Sequence, residues 1–337
     1  HRRADAYRAA RRGNGRANRG RWEYAGLTLP TAGAGENFPR AFSPPRPNWR
    51  ETHVQIPIVA LIYDFDKTLS PKDMQEYSFI PGLNMEADAF WGLCRELSLR
   101  TNMDGILAYM YMMKRMAEGT MELSREALSK LGEKVEFFPG VETWFDRVGE
   151  IGRQNGVEVE HYIISSGLQE IILGSRIGDR FKAVFAASFC YDEHGRAEWP
   201  ASAVNYTSKT QYLFRINKGI LDVTNDRDLN AYTPEYKRRV PFSNMIYVGD
   251  GLTDVPSMKL TKLNGGHSIA VWQENEGVSN EMLLEGRVDF AVKADYSKGS
   301  EMEKTVFAVI DQIAASAKTA QMHVDACDRA KRTQEEA

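Results

Sequence analysis

Ile56-Pro57-Ile58-Val59-Ala60-Leu61-Ile62-Tyr63 runs straight into Asp64-Phe65-Asp66-Lys67-Thr68-Leu69. Eight residues with no charge, ended by two carboxylates, read as a strand buried on both faces that surfaces at its carboxyl end. Side chains alternate along an extended chain, so Asp64 and Asp66 share one side and Phe65 faces the other. Shorter apolar runs recur at Val159–Ser165, Ala183–Phe189, Met245–Gly249, Ser268–Trp272 and Val288–Val292. Helical spacing lies between several of them. Strands alternating with helices predict an α/β fold with a Rossmann-like parallel sheet.

The segment from Pro71 to Val135 breaks that alternation. It has no strand-like run, and Met103, Ile106, Leu107, Met110 and Met113 follow helical spacing. A methionine stripe is either an adaptable ligand surface or the core of a small bundle, and the bundle is the favoured reading. The segment is expected to be a helical cap inserted after the first strand. In Phe189–Trp199, a turn signal at Asp192–Gly195 lies between β-prone arms and predicts a hairpin. Thr224–Pro241 reads as a polar surface excursion, and Ser300–Ala317 as a closing helix. The domain expectation is therefore an Arg/Gly/Pro-rich extension over 1–52, an α/β core over 53–70 and 136–318, a cap over 71–135, and a flexible tail over 319–337.

The chain has 337 residues, 42% of them apolar, enough for one large domain and an accessory one. Its net charge of −3 gives no general attraction to nucleic acid or anionic membranes. Residues 1–50 nevertheless hold eleven Arg, no Lys and three acids. That head reads as a disordered extension rather than a transit peptide or nucleic-acid arm. It has one Ser, and its aromatic residues, Trp22 and Tyr24 among them, do not interleave regularly with its arginines as a stacking platform would. The first Met is Met74, beyond Asp64 and Asp66, so a non-Met start or a carried-over upstream stretch is expected. Cys94, Cys190 and Cys327 are too scattered for a disulfide framework or a metal site, which makes a reducing compartment the default. No apolar run approaches the ~20 residues of a membrane span, and no secretory signal is visible. A cytoplasmic location without membrane contact is expected.

Ligands of an open parallel sheet bind beyond the carboxyl ends of its strands, and four polar clusters fall at such ends. An aspartate such as Asp64 can attack phosphorus, and Asp66 can protonate a leaving alcohol and then activate water. The pair can also simply cap a helix. Ser165-Ser166-Gly167 precedes a helical stretch and offers a hydroxyl and backbone N–H groups to a phosphate, or merely a helix cap. Lys218, in Ile216-Asn217-Lys218-Gly219, can offset phosphate charge; Lys209 competes for that role. Gly249-Asp250-Gly251-Leu252-Thr253-Asp254 supplies a strand-end carboxylate of the kind Mg²⁺ takes. Its Asp254 either holds a metal-bound water or orients the lysine, unless it is only a helix cap.

In order and residue type these clusters resemble the four motifs of the haloacid dehalogenase-like hydrolases, over roughly Ile56–Val292. The helical insert and the hairpin are similar to those of the phosphoserine-phosphatase-like branch. The resemblance implies Asp64 as nucleophile, Asp66 as general acid and base, and Lys218 as the motif lysine. It implies Ser165 as the phosphate-binding hydroxyl, with Ser166, Gly167 and Thr68 beside it. A Mg²⁺ ion would be held by Asp64, Asp66 (through its backbone carbonyl), Asp250 and Asp254. Dehalogenases of the family lack the second acid, here Asp66, and its ion pumps carry Asp-Lys-Thr-Gly-Thr, here interrupted by Leu69. Thr253 stands where many phosphoserine phosphatases carry Asn, and Asp73 where they carry a cap Glu. Together these imply a magnesium-dependent phosphomonoesterase acting on a small phosphorylated metabolite. The alternative is a non-catalytic phosphate- or protein-binding member of the same fold.

Overall fold

The computed structural model describes residues 56–335. The extension expected over 1–52, with its Arg-rich head and its start, lies outside the described residues.

In chain order the elements begin with β1 (Ile58–Tyr63), α1 (Phe79–Gly82), α2 (Ala87–Thr101), α3 (Gly105–Ala117), α4 (Arg125–Gly132) and α5 (Val141–Gln154). Then come β2 (Glu158–Leu168), α6 (Gln169–Gly174), β3 (Ala183–Tyr191), β4 (Ala197–Ser202), α7 (Lys209–Lys218) and α8 (Asp226–Asn230). The last are β5 (Met245–Gly249), α9 (Val255–Leu263), β6 (His267–Trp272), α10 (Gly277–Leu284), β7 (Phe290–Lys293) and α11 (Glu301–Glu335). The strands form one seven-stranded sheet in the order β4-β3-β2-β1-β5-β6-β7. All neighbours pair in parallel except β3 and β4. That antiparallel edge is the expected hairpin, its turn held by Asp192 Oδ1, which accepts from the backbone N–H groups of His194 and Arg196.

β1 is central, and Val59 to Tyr63 have no solvent exposure, which is why its sequence is continuously apolar. The chain builds outward from β1 through β2 and β3 in one direction, then through β5, β6 and β7 in the other. The order therefore reverses beside β1, the place where open α/β sheets leave a crevice for ligands. One apolar face packs under α5 and α11, with Trp144, Val148, Val306 and Ile310 buried among Leu61, Tyr63 and Ile246. The other face packs under α7 and α9, with Tyr212, Leu213, Ile216 and Met258 against Ala60, Ile62 and Tyr247.

Between β1 and β2 the chain is helical, as expected. Met110 and Met113 of α3 are buried, together with Tyr109. Leu107, which belongs to the expected stripe, is 36% exposed, and Met103 precedes the helix. The helical register is legible in the sequence, but the buried face also includes Tyr109, whose hydroxyl reaches Ser166 O on β2. The chain end differs from expectation. The closing helix expected over Ser300–Ala317 is longer: α11 continues to Glu335, so residues 319–335 of the expected flexible tail are helical. Residues 300–337 contain no Gly or Pro to end it. Local pairs such as Gln321–Asp325 and Lys331–Asp328 lie along its surface. Among the described residues no helix is long and apolar enough to cross a membrane.

Candidate active site

The register of three strands assembles the site. Tyr63 pairs with Ile163 on one side and Val248 on the other. The next backbone N–H, that of Asp64, donates to Val248 O at 2.9 Å. The register continues to put Asp64 beside Ile164 and Gly249, so Ser165 and Asp250 follow one residue further on at the same end of the sheet. Asp64, Asp250 and Asp254 each offer a carboxylate oxygen, and these atoms lie within 4.8 Å of one another. Asp254 reaches the site from the start of α9 and is fully buried. It sits at the helix's N-cap position but makes no side-chain cap bond. Gly249 leaves room for it: a Cβ there would lie 2.6 Å from Asp254 Cγ.

The lysine at this centre is Lys209. Its side chain is buried, with Nζ 2.8 Å from Asp254 Oδ1 and 3.1 Å from Asp64 Oδ2. Lys218 is corrected as a site residue, because its ammonium donates to the carbonyls of Leu229 and Ala231 in the surface excursion. Helix geometry explains the difference. Lys209, Tyr212, Leu213 and Ile216 form the buried stripe of α7, and a residue nine positions after Lys209 is about half a turn away from it at 3.6 residues per turn. That stripe was a readable signal in favour of Lys209. Tyr247 was not foreseen. Buried on β5, it donates its hydroxyl to Asp254 Oδ1 at 2.8 Å, while Asp254 Oδ2 is buried without a partner.

The remaining expected residues gather around this centre. Ser165 is buried, and its Oγ accepts from Gly167 N at 3.0 Å. Thr68 is buried with its Oγ1 unpartnered. Asp66 Oδ1 accepts from Met74 N at 2.8 Å. Its side chain lies outside the group of three carboxylates, beside Gly167, where a Cβ would come within 2.9 Å of Asp66 Oδ2 and 2.0 Å of Met74 Cε. The helical segment touches the site at several points. Tyr109 donates its hydroxyl to Ser166 O at 2.8 Å, Leu168 N donates to Met74 Sδ, and Lys67 pairs with Asp73 at 2.7 Å.

Three carboxylates face one ammonium. Burial pushes Asp250 up to about 8, helped by the charges of Asp254 and Asp64. Burial also raises Asp64 to about 6, opposed by Lys209 and reinforced by Asp254. Asp66 is raised well above the carboxylate range by burial, then by Asp73 and Asp64. Burial works against the charge on Lys209, but Asp254 and then Asp64 more than offset it and hold the ammonium protonated. The centre is short of positive charge. Its convergent donors are all carboxylate oxygens, one of them buried and unpartnered, and such a set fits a hard divalent cation.

No family model matches the chain. A protein of Borreliella burgdorferi, described only as uncharacterized, is 30% identical over 273 residues, which cover 73% of this chain and 94% of that one. The chain belongs to that protein's family. Its mostly parallel seven-stranded sheet, with acids at the ends of β1 and β5, is a Rossmann-like α/β arrangement. Among solved structures it is similar to a HAD family hydrolase of Salmonella enterica serovar Typhi, with TM-score 0.47 and 14% identity, covering 70% of this chain and 68% of that one. It is also similar to a probable phosphoserine phosphatase of Vibrio cholerae, with TM-score 0.46 and 12% identity, covering 77% and 68%.

Proposed function

We propose that the protein is a phosphohydrolase acting on phosphate monoesters through a phosphorylated Asp64. The observation that carries this reading is the convergence of Asp64, Asp250, Asp254 and the buried Lys209 at the ends of β1 and β5. A binding site for phosphate would not need four acids, counting Asp66, that burial and mutual repulsion make costly to collect.

In the proposed reaction a carboxylate oxygen of Asp64 attacks phosphorus, and the bond to the ester oxygen breaks. Asp66, whose environment favours the protonated form, gives its proton to the departing alkoxide. Water then attacks the phosphorus of the aspartyl-phosphate and loses a proton to Asp66. The bond to Asp64 breaks and inorganic phosphate leaves. Lys209 balances charge on Asp64 and the transferring group, and Tyr247 fixes Asp254 by occupying one of its oxygens. Ser165, Thr68 and the backbone around Ser166 and Gly167 are suited to hold phosphate oxygens. Asp64, Asp250 and Asp254, with the Asp66 carbonyl, would hold Mg²⁺, which supplies charge neutralisation at the phosphoryl oxygens. The helical segment over 71–135 acts as a cap that excludes water. This is supported by the bond from Met74 to Asp66 and by that from Tyr109 to Ser166. A small phosphorylated metabolite in the cytoplasm is the expected setting.

The test is hydrolysis of a generic aryl phosphate with Mg²⁺ by the wild type and by Asp64→Asn. The account requires turnover in the first and none in the second. Full activity in Asp64→Asn would remove the nucleophile assignment.

A further inference from the structure

The two carboxyl oxygens of Asp66 have different surroundings. Oδ1 accepts the backbone N–H of Met74 at 2.8 Å. That bond occupies Oδ1 and leaves Oδ2 to carry the proton that the ester oxygen receives. Oδ2 lies against Gly167, where a Cβ would come within 2.9 Å of it. The same Cβ would meet Met74 Sδ at 2.9 Å and Met74 Cε at 2.0 Å. The end of the Met74 side chain and the proton-bearing oxygen are therefore neighbours over one glycine.

Met74 has little freedom to move aside. A methionine is ordinarily an adaptable filler, but this one is fixed at three points. Its backbone N–H is on Asp66, and its sulfur takes the Leu168 N–H at 3.1 Å. Its side chain is fully buried, in the apolar cluster that includes Phe79, Phe90 and Met110 of the helical segment. Solvent exposure survives instead at Lys67, which follows the acid directly and pairs with Asp73 at 2.7 Å, the two side chains being 46% and 24% exposed. Proton transfer needs the ester oxygen within about 3 Å of Oδ2. The carbon one bond beyond that oxygen then has the Met74 methyl as its wall, while the rest of the alcohol leaves past the ion pair.

We propose that Met74 selects the alcohol, admitting esters of primary alcohols and turning away those branched at the carbon that bears the ester oxygen. The inference rests on the phosphohydrolase reading and deepens it by naming the substrate class and the residue that sets it. Phosphorus lies at Asp64, the ester oxygen at Asp66 Oδ2, and the first carbon against the Met74 methyl. A hydrogen on that carbon fits against the wall. A branching carbon there overlaps the methyl or forces the sulfur off the Leu168 N–H. Surroundings packed as closely as a protein interior respond to a change of one methylene.

The experiment compares kcat/KM with Mg²⁺ for two isomers, the primary ester 2-phenylethyl phosphate and the secondary ester 1-phenylethyl phosphate, with phenyl phosphate as an activated reference. The isomers share a composition and differ in branching beside the ester oxygen. The wild type should favour the primary ester by about tenfold or more. Met74→Ala should bring the ratio toward one, and Met74→Leu, which keeps the bulk, should retain the preference. Each ratio is taken within one preparation, so it does not depend on how much of a variant is folded; if Met74→Ala yields no soluble protein, the shorter Met74→Val takes its place. Tyr109→Phe deletes the bond from the helical segment to Ser166 O without opening space at Asp66, and should leave the ratio in place. The proposal is overturned by a wild-type ratio near or below one, by a ratio that survives the shortening of Met74, or by loss of the preference in Met74→Leu or Tyr109→Phe. Turnover of phenyl phosphate but of neither isomer by the wild type overturns it as well. Hydrolysis of none of the three esters overturns the phosphohydrolase reading and this inference with it, which separates the two failures.

Discussion

Replacing Lys209 by methionine removes one charge and little volume from the centre of the site. Its ammonium lies 2.8 Å from Asp254 and 3.1 Å from Asp64. At an effective dielectric constant near 20, each contact corresponds to roughly 5 kcal/mol of attraction. Most of that is offset by the cost of removing the ions from water. What remains is the penalty for leaving buried carboxylates without their cation, about 3–5 kcal/mol. For a body of this size, that lowers the melting temperature by roughly 6–10 °C without added metal. Saturating Mg²⁺ should return part of the loss, because it supplies positive charge to the same oxygens. Loss of a fixed charge at the transferring group should lower kcat by about 10²–10³-fold even when the site is saturated with metal. The assay is thermal unfolding with and without Mg²⁺, paired with kcat on an aryl phosphate. Lys218→Met is the control, since that ammonium only holds the carbonyls of Leu229 and Ala231. The reasoning is refuted if Lys209→Met keeps wild-type kcat and melting temperature, or if Lys218→Met loses as much activity.

Three more expectations follow from particular contacts. Tyr247→Phe deletes one of the two donors on Asp254 Oδ1 and should weaken Mg²⁺ affinity about tenfold, measured by calorimetric titration; unaltered affinity would remove Tyr247 as an orienting group. Gly167→Ala would place a Cβ 2.0 Å from Met74 Cε and 2.9 Å from Asp66 Oδ2; displaced Met74 and Asp66 should lower kcat, and a variant with wild-type kinetics would show the contact to be slack. Glu160, far from the site, is desolvated, but its bonds from Arg239 and Tyr162 more than offset this and hold it down at about 2, against 4.5 for a free glutamate. Its contribution is complete above pH 4.5 and is lost as pH falls toward 2. It amounts to roughly 2–3 kcal/mol after discounting for the partly exposed Arg239. Urea unfolding of Glu160→Gln should therefore fall below wild type at pH 7 and converge with it near pH 2; a constant gap would contradict the assignment.

Much of this architecture was readable because burial writes plainly into sequence. β1 and β5 are buried at nearly every position, and their apolar runs end where the acids begin, at Asp64 and Asp250. The hairpin was equally plain, because Asp192 and Gly195 carry turn chemistry. The lysine was harder. Lys218 stands beside a helix-ending glycine and resembles a motif, while Lys209 opens the same helix on its buried stripe. Only the phase of the helix separates them. Tyr247 gave no signal, since a tyrosine within an apolar strand reads as core until its hydroxyl is seen to meet Asp254. The length of α11 is obscured by the charged residues that crowd its second half, although no Gly or Pro follows Gly299 to break a helix.

The central claim is that Asp64 becomes covalently phosphorylated. Rapid acid quench during turnover of a monoester with Mg²⁺, then borohydride reduction and peptide mass spectrometry, tests it directly. The account predicts reduction of residue 64 to homoserine, dependent on substrate and absent in Asp64→Asn. Steady turnover with Asp64 unmodified at every quench time, or the label on another residue, would contradict it.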